Sequence, residues 1–171
     1  MAAALGETDV VTIDLTQAER FVVQQATPTS DEQLIADGHY NDVWSNILTS
    51  GDFALGEPFM GEQEMLVVRA EWFPLRGNIS GREGVKIMQS CGFRPPTLRE
   101  MLAFGAQSGS TKWEYVIGAN LHYRVPNEPW YDCAPATWSH SGRRGLTVAS
   151  MNNAMMHAWP RNPHYLWVPL P

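Results

Sequence analysis

Residues 80–107, SGREGVKIMQSCGFRPPTLREMLAFGAQ, constrain the fold of this chain more than any other stretch, because they hold two helix starts and a helix stop. Ser80 with Glu83 forms a capping box: the serine hydroxyl accepts from the third helical N–H, and the glutamate reaches back to the N–H of the capping residue. The helix that starts there carries Val85, Ile87, Met88 and Cys91 and meets Gly92, which closes a helix in the left-handed conformation without a Cβ clash. Pro95 and Pro96 then forbid continuation, since proline lacks the N–H and restricts the residue before it. Thr97 with Glu100 is a second capping box, and Leu98, Met101 and Leu102 follow at the spacing of one buried stripe. The spacing predicts two short helices meeting at a proline-stiffened corner. Thr29 with Glu32 carries a third signal of the same kind, and Gly38 stands where that short helix ends.

The rest of the chain reads as α+β, with short helices packed on a mixed or antiparallel sheet and long C-terminal loops. Residues 1–9 read as a loose tail and 10–171 as a single domain. Val11, Ile13 and Leu15 alternate as a half-buried strand does, and residues 21–25 extend or pair with it. Residues 65–73, MLVVRAEWF, are the strongest strand, rich in β-branched and aromatic side chains. Residues 115–121, 146–149 and 165–168 read as further strands. Residues 38–53 mix turn formers with apolar anchors and give no single element. Trp130, Trp138 and Trp159 fall between the later strands, in segments too rich in tryptophan for a disordered linker.

The excluded classes follow from charge and spacing. Twelve basic against 18 acidic residues give a net charge of −6, so a surface that tracks nucleic-acid phosphates is not expected. No apolar run is long enough for a membrane span and the N-terminus lacks a basic leader, which together predict a cytoplasmic chain without membrane contact. His39, His122, His140, His157 and His164 have no helical ligand spacing, and Cys91 and Cys133 make neither a knuckle nor a disulfide framework. Two reduced thiols, no metal and no cofactor are the expectation.

The run GFRPPTLREMLAFGAQ resembles the G-x-RPAT-x-x-ELLAFGA segment of an uncharacterised family of small bacterial proteins, frequent in candidate-phylum genomes. LIADGHYNDVWSNILTSGDF upstream, and VIGANL, GRRGLTVA and YLWVPL downstream, resemble further stretches of those proteins, so the likeness covers residues 20–168. The chain departs from the family at Pro96, where alanine is usual, and in longer loops over 121–145. In element order, GFRPPTLRE is also similar to the helix junction of C-type-lectin-like domains, which end in a closing strand as NPHYLWVPL does here. That likeness implies a lectin-like frame with binding loops in its C-terminal half.

Residue types that bind concentrate in the last third. Trp130, Tyr131, Trp138, His140, Asn152, Asn153, His157 and Trp159 offer rigid contact area and adaptable hydrogen bonding, the mixture favoured in recognition surfaces. The other reading of these tryptophans is core filling. Arg143 and Arg144 within GRRG present either two guanidinium forks to an anion or a charged hairpin turn. Cys133 with His140 or His157 is the one conceivable nucleophile pair, against the plain reading of a packed cysteine. The chain therefore reads as a non-catalytic binding module that presents its C-terminal loops, residues 123–163, to a protein or a small-molecule ligand. The alternative is an enzyme or a ligand-sequestering protein with an anion pocket around Arg143 and Arg144, with His140 and Asp132 as participants.

Overall fold

Four consecutive apolar residues, Met65 to Val68, are all buried in one strand, and such a run requires a sheet covered on both faces. A computed structural model of the chain describes residues 2–5, 9–12, 15–16, 18–25, 27–44, 47–48, 53–69, 81–118, 123–124, 132–150 and 164–171. Its strands are β1 (Ala2–Leu5), β2 (Asp9–Thr12), β3 (Glu19–Gln25), β4 (Asp42–Val43), β5 (Gly61–Arg69), β6 (Phe93–Arg94), β7 (Tyr115–Gly118), β8 (Tyr123–Arg124), β9 (Asp132–His140), β10 (Arg143–Ser150) and β11 (His164–Pro169). The helices are α1 (Asp31–Asp37), α2 (Gly81–Ser90) and α3 (Leu98–Ala106), with a 3-10 turn at Ser108–Lys112.

Seven strands run in the order β3-β5-β11-β7-β9-β10-β4, with β6 paired to β11 and β8 to β9. The β11–β7 and β10–β4 pairs are parallel and the others antiparallel, so the class is α+β with a mixed sheet. Alternation along the strands sorts the core into two layers. Met65 and Val67 of β5 and Leu166 and Val168 of β11 pack with Leu98, Met101, Leu102 and Phe104 of α3 and Leu34 of α1. Leu66 and Val68, with Tyr165 and Trp167, pack with Ile87, Met88 and Cys91 at α2 on the opposite face.

The helical corner follows its local signals. Cys91 and Gly92 close α2, with Gly92 at φ +86°, the left-handed region that favours glycine. Thr97 Oγ1 accepts from the Glu100 amide at 3.2 Å while Glu100 Oε2 accepts from the Thr97 amide at 2.7 Å, which completes the second capping box. Leu98, Met101 and Leu102 are buried, as is Met88, while Val85 is half-buried. Glu100 is only 6% exposed and also takes both terminal nitrogens of Arg94, at 2.7 Å each. Burial pushes its carboxyl up, but the Arg94 guanidinium and the Thr97 amide outweigh this and hold it below the ordinary value. Ser80, the first cap, lies outside the described residues.

Several sequence expectations need correction. Residues 2–5 are not a loose tail, since Ala2–Leu5 pairs antiparallel with Asp9–Thr12. The first helix is capped by Ser30, which accepts from the Gln33 amide, and not by Thr29. Gly38 ends that helix in right-handed geometry, and His39, at φ +50°, makes the left-handed step. The strong strand begins at Gly61, four residues before the expected start at Met65, while 70–73 lie outside the described residues. Most consequentially, part of the expected loop region is regular: Asp132–His140 and Arg143–Ser150 form a continuous hairpin inside the sheet. Ser141 and Gly142, both at positive φ, make its two-residue turn.

Candidate functional site on the hairpin of strands β9 and β10

The register of the hairpin decides which of the expected site residues meet. Trp138 lies opposite Gly145, and His140 opposite Arg143. Because Trp138 and His140 are two residues apart, all three candidate side chains share one face, the face that α2 covers further along the sheet. Trp138 is half-buried, packing its inner part against the α2-side core. Its indole rests over Gly145, where any Cβ would overlap the ring. The glycine is therefore the seat of the tryptophan.

His140 and Arg143 are exposed beside it. His140 Nδ1 meets Glu114 Oε1 at 2.9 Å, and Arg143 Nη2 donates to Asp42 Oδ2 at 2.8 Å. With the carboxylate as acceptor, Nδ1 is the donor of this bond. The row Glu114, His140, Arg143, Asp42 thus sets an imidazole and a guanidinium between two carboxylates beside the Trp138 indole. These two carboxylates were not singled out by the sequence reading. They stand 26 and 101 residues from their partners, so no spacing signal could reveal them.

Arg144 does not join this row. Successive residues of a strand point to opposite faces, and its guanidinium turns to the α3 side, donating to the carbonyls of Gly38 and Gly105 and to Ser110 Oγ. It also lies over the Tyr40 ring, 5.1 Å from the centroid. A cation placed on the final carbonyls of α1 and α3 complements the negative ends of both helices. Tyr40 fills the space between them, its ring against Gly38 and its hydroxyl against Gly105, and burial pushes that phenol up to about 12 while Arg144 pulls it down. The structure gives Arg144 a structural task and separates it from Arg143, so the two do not form one pair of forks for an anion.

Cys133 is buried in β9. Asp132 belongs to the same strand, and Trp130, Tyr131, Asn152, Asn153, His157 and Trp159 lie outside the described residues. Of the ten candidate binding residues, the structure brings together Trp138, His140 and Arg143. Among the described residues no three His, Cys, Asp or Glu side chains are grouped to hold a metal ion, and no helix is long and apolar enough to cross a membrane. Comparisons of the chain with protein-family models, with curated proteins and with solved structures found no match.

Proposed function

We propose that this protein is a non-catalytic binding module whose recognition face is the end of the β9–β10 hairpin. The observation that carries the reading is the row on one face of the hairpin: a half-exposed indole seated on Gly145, with exposed His140 and Arg143 and their carboxylate partners around it. An aromatic plane ringed by donors and acceptors, held on rigid strands, is suited to a protein surface or a small ligand that stacks and hydrogen-bonds at once. Trp130, Tyr131, Asn152, Asn153, His157 and Trp159 lie outside the described residues and enter the proposal on residue type alone. The resemblance to the candidate-phylum family, and to lectin-like frames with binding loops in the same half, belongs to this proposal as well.

The test is a pull-down and small-molecule screen with the wild-type chain, followed by His140→Ala and Arg143→Ala, both at exposed positions. Trp138→Phe, which keeps the core packing of the inner ring, completes the set. All three are expected to weaken binding with an unchanged melting temperature, whereas Asp37→Ala, at an exposed end of α1, leaves binding intact. Normal binding by the three hairpin variants, with loss in Asp37→Ala, contradicts the proposal.

A further inference from the structure

A sheet with open ends must protect them, because unpaired N–H and C=O groups along an edge template pairing with another chain. The two edges here differ. β4 is only two residues long, whereas β3 runs seven and pairs with β5 along its whole length without a bulge. β3 contains no lysine, proline or glycine, the residues that commonly blunt an edge. Lys112 pairs with Glu19 at one end, and the Gln107 amide donates to the Gln24 carbonyl at 3.5 Å near the other. Between them, no described residue outside β5 hydrogen-bonds to residues 20–23. Val22, at the centre, is 48% exposed.

The strand ERFVVQQ is complementary to itself about that valine. A second copy run antiparallel across a two-fold axis sets Val22 against Val22, Phe21 against Val23, Arg20 against Gln24 and Glu19 against Gln25. Every charge then meets an amide. Gln24 donates to Glu62 at 2.8 Å and Arg20 pairs with Glu64, so the arginine of one copy also arrives beside a carboxylate of the other. Parallel pairing would set Glu19 on Glu19 and Arg20 on Arg20, which is unfavourable. We propose that β3 is the seam of a homodimer in which two sheets join edge to edge across a two-fold axis at Val22.

Sedimentation velocity over a range of concentrations tests this. The wild-type chain is expected to sediment as a dimer that dissociates on dilution. Val22→Lys and Val22→Glu, each of which sets like charges on the axis, are expected to be folded monomers by circular dichroism, and an equimolar mixture of the two is expected to dimerise again. Gln24→Lys, which opposes Arg20 with a second cation, serves as the monomeric variant if either Val22 substitution does not fold. A wild type that stays monomeric at every concentration overturns the proposal and leaves the edge to an extended segment of another protein. Folded variants that remain dimeric, or a mixture that does not re-form the dimer, overturn it equally.

Discussion

Replacing Glu100 by alanine removes the acceptor for three hydrogen bonds at once: two from Arg94 and one from the Thr97 amide, each 2.7 Å long. Arg94 is left with its side chain about one-third exposed and without its carboxylate, and breaking a largely buried pair from one side costs about 3–5 kcal/mol. Loss of the reciprocal half of the helix cap is included in that range, since a cap alone contributes about 1 kcal/mol. For a chain of 171 residues this corresponds to a fall in melting temperature of roughly 10 °C. Glu100→Gln keeps one acceptor oxygen, and its expected loss is smaller, about 1.5–3 kcal/mol. The pH dependence follows from the depressed native value: the contribution is fully present above the ordinary carboxyl value of 4.5 and is lost as pH falls through the lower native one. Urea melts of wild type and Glu100→Gln at a series of pH values should therefore show a gap that is constant near neutrality and narrows on acidification. A gap that stays constant into strong acid, or a Glu100→Ala loss below about 1 kcal/mol, refutes the reasoning.

Other expectations concern the core and the two helix ends. Leu102→Ala, at a fully buried site, should cost about 2–5 kcal/mol in a denaturant melt; less than about 1 kcal/mol means that the stripe is not core. Arg144→Met should destabilise by about 2–4 kcal/mol because it strips the final carbonyls of α1 and α3 of their donor, and Arg144→Lys should recover only part of that because an ammonium cannot span several acceptors as a fork does. Equal stability of the wild type and both variants in thermal melts contradicts the capping role. Tyr40→Phe should be neutral or slightly stabilising, since the buried hydroxyl has no hydrogen-bond partner among the described residues; a loss above about 1 kcal/mol in thermal melts shows that the hydroxyl is satisfied after all.

What the sequence made legible was local chemistry. The corner at Gly92 to Glu100 was readable because caps and prolines act on neighbours within a few residues. The error of one residue between Thr29 and Ser30 arose because both hydroxyls precede the same acidic turn, and only geometry selects the one that faces the Gln33 amide. Within the β9–β10 hairpin, residues 146–149 read as strand and GRRG as anion forks or a hairpin turn, whereas 132–140 read as loop, for reasons that can be named. Pro135 interrupts the strand pattern, yet it sits between the stretch that β7 pairs, Ala136 to Trp138, and the stretch that β8 pairs, Asp132 and Cys133, where a missing N–H costs little. Gly145, read as part of the GRRG tetrad, belongs to β10, and its lack of a side chain is what lets Trp138 lie across the sheet. The site pairs were invisible for a different reason. Asp42 reaches Arg143 only because β4 is parallel to β10, and long-range register leaves no trace in spacing. Arg144 was grouped with Arg143 by adjacency, whereas strand alternation sends adjacent side chains to opposite faces.

The central claim is that the end of the β9–β10 hairpin is the recognition face, and a hydrogen–deuterium exchange footprint tests it most directly. With the partner or ligand recovered from the screen added to the wild-type chain, added protection is expected in peptides covering residues 132–150, and none of it in the His140→Ala variant under the same conditions. Protection confined to peptides of α1 and α3, with residues 132–150 exchanging as in the free protein, contradicts the claim.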